Sequence, residues 1–161
     1  MLRDNSGRKT NALRILESMG IDHHVAAYPV GSEHLDAVSV AQVLGVNPDI
    51  VFKTLVAHDE QNALLVYCIP GAAALDLKKA AKAAGAKKVE MINLKDLTPL
   101  TGYVRGGCSP IGMKKKYPTW IDEIASTFDE IYVNAGARGL QVILTPADIC
   151  RAADAQFADL V

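Results

Sequence analysis

The sequence predicts a single α+β domain with a mixed sheet, and three observations lead there. Helical and strand-like patterns interleave without a repeating strand–helix unit, two apolar runs flank a short polar turn, and no linker or internal repeat interrupts the 161 residues. A chain of this length buries roughly 70% of its unfolded surface, enough for a core without a metal or disulfide staple. The domain is therefore read as residues 1–161.

The elements follow in order. Thr10 is placed to cap a helix over "NALRILESMG", where Leu13, Ile15, Leu16 and Met19 recur at helical spacing and Gly20 stops the run. "HHVAAYPV" reads as a short strand ended by Pro29, and "DAVSVAQVLG" from Asp36 as a helix stopping at Gly45. After a connector with Asn47 and Pro48, "IVFKTLVAH" and "ALLVYCIPG" form a hairpin around "DEQN", buried on both faces or nearly so. "ALDLKKAAKAAGA" is an amphipathic helix with Asp76 near its start and Gly85 at its end, and "NLKDLTPL" a shorter one started by Asn93. "TWIDEIA", "EIYVNAG" and "RGLQVIL" are strands, and "TPADICRAAD" is a helix with Pro146 at its first position and Asp148 in its first turn.

Composition narrows the function classes. Half of the residues are hydrophobic, 22% are charged and the net charge is −1, so any polyanion must meet a local patch. Cys68, Cys108 and Cys150 form no CxxC pair, which argues against a disulfide framework or a zinc site. No signal pattern and no apolar run of about 18 residues is present, so the expectation is a cytoplasmic protein with no membrane partner, no metal and no cofactor.

The chemistry concentrates in two places. Lys53 stands inside an apolar strand among Val51, Phe52, Leu55 and Val56, which a fold tolerates only where the ammonium reaches water, a counter-charge or a ligand. "GYVRGGCSPIGMKKKYP", residues 102–118, holds four glycines, two prolines and three lysines, too irregular for a helix or a central strand. It is neither a Walker A loop, since Met113 follows Gly112, nor a GxGxxG fingerprint. Gly106, Gly107, Cys108, Ser109 and Pro110 form either a structural turn or a nest of N–H groups for an oxyanion. Lys114, Lys115 and Lys116 are a solvated face or a phosphate contact. Cys108 and Ser109 are candidate nucleophiles without an evident base, and Tyr28 lines a pocket or belongs to the core. His23, His24, His34 and His58 show no metal-ligand spacing and are read as surface or packing residues.

Four stretches, "VFKTLV" at 51–56, "LDLKKAAKAAGAKKVEM" at 75–91, "TGYVRGGCSPIG" at 101–112 and "IYVNAGARGLQVIL" at 131–144, resemble the bacterial YbaK family, free-standing relatives of the prolyl-tRNA synthetase editing domain. The resemblance implies a mixed, largely antiparallel and partly closed sheet flanked by helices. It implies removal of a wrong amino acid from tRNA, most typically cysteine from mischarged Cys-tRNA(Pro), with prolyl-tRNA synthetase as the suggested partner. It also implies the site: Lys53 as the strand lysine, Gly106 through Pro110 as the GxxxP loop, Tyr28 as the aromatic before the second helix, and Gln141 as the pocket-side residue of the "RGLxI" strand, where some members carry an acid. "VNAGARG" replaces the more typical "VSGGKRG". In the family no protein nucleophile is used; the substrate thiol or a water attacks. Two other readings compete: a non-catalytic module that binds an aminoacyl group or nucleotide, and a thiol hydrolase built on Cys108.

Overall fold

The helices that begin at Asn11, Ala37, Leu77 and Pro146 each start where a side chain satisfies one or more of the first free N–H groups. The computed structural model describes residues 9–31 and 35–161; His34 lies outside the described residues. Helix α1 (Asn11–Ser18) is capped by the Thr10 hydroxyl, which accepts from the Leu13 N–H, and buries Leu13 and Leu16. Strand β1 (His24–Ala27) follows, then helix α2 (Ala37–Leu44), whose cap Asp36 accepts from the Ser39 N–H at 2.8 Å. A 3-10 turn over Pro48–Ile50 leads into β2 (Phe52–Asp59) and β3 (Leu64–Pro70). Asp59 closes that hairpin by accepting from the N–H groups of Gln61 and Ala63. Helix α3 (Leu77–Ala84) takes two capping bonds from Asp76 and ends at left-handed Gly85.

Beyond α3 the chain departs in places from the sequence pattern. Val89–Met91 forms a short strand, β4, on the edge of the hairpin. The helix expected over "NLKDLTPL" is a 3-10 turn, Leu94–Asp96, running into α4 (Leu97–Thr101), and Asn93 makes no side-chain cap bond. Strand β5 stops at Asp122 (Thr119–Asp122) because that carboxylate accepts from the Ile124 N–H and starts a 3-10 turn, Glu123–Thr127. Strands β6 (Ile131–Asn134) and β7 (Leu140–Leu144) and helix α5 (Pro146–Ala153) stand where the sequence places them, with Thr145 capping α5. A last strand, β8 (Ala155–Ala158), lies parallel to β5.

The strands divide into two sheets. One has the order β1-β7-β6, all antiparallel; the other has the order β4-β2-β3-β5-β8, antiparallel from β4 through β2 to β3 and parallel from β3 through β5 to β8. An isolated bridge between Val51 and Tyr132 joins the sheets, which do not close into a barrel. The largest core cluster combines Leu13 and Leu16 of α1 with Val133, Leu140, Val142 and Ile149. A second places Ala80 and Ala81 of α3 against Tyr67 and Trp120, whose rings stack at 5.3 Å. A third, smaller cluster of Val56, Leu97 and Cys108 involves the glycine-rich segment. Among the described residues no helix is long and apolar enough to cross a membrane.

Candidate active site

The junction of the two sheets leaves a cleft of about 310 Å³, at the lower end of the roughly 300–1,000 Å³ usual for small-ligand sites. Its walls come from five segments far apart in sequence: Tyr28 after β1, Asp36 and Val40 at α2, Val51 with residues 52–55 of β2, Arg105, Gly106 and Cys108 of the loop, and Asn134 and Gln141 of β6 and β7. Tyr28, Lys53, Gly106, Cys108 and Gln141, singled out from the sequence, thus line one space.

Lys53 pairs across the hairpin with Ile69. Burial lowers its pKa, and the Asp36 carboxylate opposes that shift. Asp36 reaches this position because Gly71 gives way: a Cβ there would stand 2.3 Å from the Ala37 Cβ and 3.0 Å from the Val51 carbonyl oxygen. The Gly71 N–H donates to that same oxygen, so the start of α2 packs on Gly71, which is itself bonded to Val51, the residue before β2.

The loop is built on a turn. Gly107 donates its N–H to the Val104 carbonyl at 2.9 Å, and Gly106 between them has φ 82°, a conformation that favours glycine. The Gly107 N–H is therefore spent within the loop and is not a free donor. Its missing side chain serves packing, since a Cβ would lie 3.2 Å from the Arg138 nitrogen and 3.4 Å from the Ala137 carbonyl carbon. Among the described residues no acceptor meets the N–H of Gly106 or of Cys108. Asn134 fixes the arrangement: its amide donates to the carbonyls of Gly106 and Ala137 and accepts from the N–H groups of Gly136 and Ala137. Arg138 adds a bond from Nε to the Arg105 carbonyl at 2.6 Å.

Gln141 sits in the middle of its sheet, paired with Ala26 on one side and Asn134 on the other. It is 4% exposed, and its Oε1 has no hydrogen-bond partner. Such an atom costs about 1–3 kcal/mol of desolvation unless a ligand meets it. Cys108 is 8% exposed, and burial first, then proximity to Cys68, pushes its thiol up to about 12. It is a neutral thiol at neutral pH, the poorly nucleophilic form.

The remaining sequence candidates lie outside the cleft. Ser109 is fully buried and its hydroxyl accepts from the Ile111 N–H. Pro110 lines a different, smaller depression. Lys114 and Lys115 are exposed, with Lys114 beside Gly102, and Lys116 pairs with Asp154. Sequence reasoning missed Asp36, Asn134, Arg105 and Gly71 as site residues. Asn134 alone had a local signal, an Asn followed by Ala-Gly, the composition of an Asx turn.

Known proteins are similar to this chain in sequence and fold. The aminoacyl-tRNA editing domain family matches residues 32–152. A relative from Enterococcus faecalis (strain ATCC 700802 / V583), under the provisional name Cys-tRNA(Pro)/Cys-tRNA(Cys) deacylase EbsC, is 46% identical over 99% of this chain and 98% of its own. A crystal structure provisionally described as a trans-editing enzyme for prolyl-tRNA synthetase superposes with a TM-score of 0.80 at 26% identity, covering 96% of this chain and 98% of that one. A hypothetical protein solved by crystallography shares the fold, with a TM-score of 0.84 at 21% identity over 94% of this chain and 99% of its own. By family match and by full-length identity, the chain belongs to the aminoacyl-tRNA editing domain family.

Proposed function

We propose that residues 1–161 form a cytoplasmic trans-editing deacylase that removes a mischarged amino acid from tRNA, cysteine from Cys-tRNA(Pro) first of all. The observation that carries this reading is the meeting, in one small cleft, of a partly desolvated cation, an unpartnered buried amide oxygen and two residues whose backbone N–H groups meet no acceptor among the described residues. The names of the Enterococcus relative and of the trans-editing structure support the substrate class.

An aminoacyl ester needs three things from such a site. Its carbonyl oxygen gains negative charge as the tetrahedral intermediate forms, and the N–H groups of Gly106 and Cys108 are the donors available for it. Its terminal phosphate needs a cation, the role of Lys53. Its amino group offers a donor to the orphaned Gln141 Oε1, while the Tyr28 side chain bounds the amino-acid end. With cysteine as the esterified residue, the substrate thiol attacks its own carbonyl. A C–S bond forms, the C–O bond to the ribose breaks, and the thiol proton ends on the ribose oxygen. A water in place of the thiol gives free cysteine. Prolyl-tRNA synthetase is the partner that would hand over the substrate.

The test is release of labelled amino acid from Cys-, Ala-, Ser- and Pro-tRNA(Pro), with the sulfur product trapped to separate cyclisation from hydrolysis. Cleavage of Cys-tRNA(Pro), with correctly charged Pro-tRNA(Pro) left intact, is expected. Tight binding of the aminoacyl end without release from any of the four would make the protein a binding module instead.

A further inference from the structure

Beside the cleft lies a second depression of about 310 Å³, lined in part by Thr10, Arg14, Tyr103, Lys114 and Gly136. The two hollows share two walls. Tyr103 faces the second while Arg105, Gly106 and Cys108 face the first; Gly136 faces the second while Asn134 faces the first. Two Cα steps of 3.8 Å put Asn134 and Gly136 no more than about 7.6 Å apart, and the Asn134 side chain bonds to the carbonyl of Gly106 and the N–H of Gly136. Only a thin, braced ridge separates them.

The chemistry of the second hollow differs from that of the first. It carries two cations, Arg14 and Lys114, and no carboxylate among its lining residues. Tyr103 supplies an aromatic wall. Its backbone is held on both sides, the carbonyl by the Thr98 hydroxyl and the N–H by the Thr101 hydroxyl, and its ring edge lies 3.7 Å from where a Gly136 Cβ would stand. Cations beside a fixed aromatic surface are the ingredients of a single-stranded nucleic-acid site, in which bases stack and phosphates are neutralised. Exposed Arg105, whose carbonyl is tied to Arg138, stands at the cleft on the same segment as Tyr103.

We propose that this second depression binds the unpaired nucleotides next to the aminoacylated 3′ end, with a base on Tyr103 and phosphates on Arg14 and Lys114. The proposal rests on the deacylase reading for the identity of the RNA, and it gives the cleft a direction: amino acid in the first hollow, the strand leaving through the second.

The probe is a labelled acceptor-stem hairpin ending in single-stranded CCA, compared with the same hairpin trimmed blunt, read by fluorescence anisotropy across a salt series. The wild-type chain is expected to prefer the CCA hairpin. An Arg14→Gln/Lys114→Gln double variant should bind it at least tenfold more weakly and flatten the log–log salt slope by about 1.4, at about 0.7 per single-strand phosphate contact. Tyr103→Leu, which keeps an apolar side chain over the small cluster, should weaken binding roughly five- to a hundredfold. Lys82→Ala, on α3 and outside both hollows, should match wild type. Unchanged affinity and slope in the double variant, or equal losses on the blunt hairpin, overturn the subsite. Binding is measured without turnover, so the outcomes separate: a chain that cleaves Cys-tRNA(Pro) with an unaffected double variant retains its activity and loses this subsite. A chain that cleaves nothing yet shows the predicted binding losses retains the subsite and loses the deacylase reading.

Discussion

Tyr67 and Gln141 are both buried polar side chains on interior strands, and the chain provides for them differently. Tyr67, on β3, is fully buried, stacks on Trp120 and donates its hydroxyl to the Ala80 carbonyl at 2.9 Å. Gln141, on β7, is almost as deep, and its Oε1 meets nothing. The other buried polar side chains follow Tyr67: Thr101, Ser109, Thr119, Asp122 and Asn134 all have partners within the chain. Among the described residues Gln141 Oε1 is thus the buried side-chain atom left open, even though its strand neighbour Asn134 is fully bonded, and the proposed deacylase reading gives it a ligand as partner.

The comparison is broken most severely at Lys53. In its proposed role as the phosphate contact it would make a charge-assisted bond, and Lys53→Ala should then cut kcat/KM for a mischarged tRNA by about tenfold to a hundredfold. Lys53→Arg should recover only part, because a planar fork does not reproduce a compact ammonium. Single-turnover deacylation with circular dichroism as the folding control decides it. Wild-type rates from folded Lys53→Ala would place the cation outside the mechanism.

Next come Gln141 and Tyr67 as a matched pair. Gln141→Leu removes an unsatisfied acceptor, so it should raise unfolding stability by about 1 kcal/mol and lower kcat/KM by about tenfold. Tyr67→Phe should do the reverse, losing about 1 kcal/mol of stability with activity intact. Denaturant unfolding and deacylation on the same two proteins test both halves. If Gln141→Leu is less stable, the amide has a structural partner and the contrast fails.

Lys53 was legible in the sequence because a charge in an apolar run is a local anomaly, and the loop because four glycines and two prolines exclude regular structure. What the loop does was not legible. Gly107 looked like a donor, and only the proximity of residues 137 and 138, brought in by β6 and β7, shows that it makes room for a neighbouring turn. Asp36 looked like a helix cap, and it is one; its influence on Lys53 comes through Gly71, thirty-five positions later. β4 and β8 were missed because both are short edge strands with exposed residues, Glu90 and Met91 in one, Gln156 and Phe157 in the other, and edges lack the two-sided apolar pattern. The division into two sheets depends on pairings between β1 and β7, more than a hundred residues apart, which no local pattern encodes.

Asp36 sharpens the comparison more finely. Burial pulls the Lys53 pKa down and Asp36 holds it up, so the cationic form is lost as pH rises through that pKa. Asp36→Asn keeps the cap, since asparagine caps as well as aspartate, and removes the opposing charge. The alkaline limb of the kcat/KM profile should move to lower pH, with the rate at neutral pH reduced only a few-fold. A profile that superposes on wild type would show that the two groups are not coupled.

The smallest expected effect belongs to Cys108, which shares the cleft with Lys53 and Gln141 yet behaves like Tyr67. Its thiol pKa is raised from the ordinary 9.0 to about 12, chiefly by burial, so it is protonated at any pH where an aminoacyl ester survives. Only its N–H is assigned to the reaction, and alanine keeps that group. Cys108→Ala should therefore deacylate within about twofold of wild type. The same burial predicts an alkaline signature in stability. A thiol whose folded pKa lies above its unfolded one favours the folded state fully below pH 9 and loses that contribution as pH climbs toward 12. Cys68, likewise raised to about 12, adds to the slope. Between pH 9 and 11 the wild-type unfolding free energy should fall more steeply than that of Cys108→Ala, because the variant lacks one of the three thiols that burial raises. Loss of deacylation in a folded Cys108→Ala protein, with an acyl adduct trapped on the wild-type thiol, would reverse the assignment and make sulfur, rather than the backbone beside it, the reacting group.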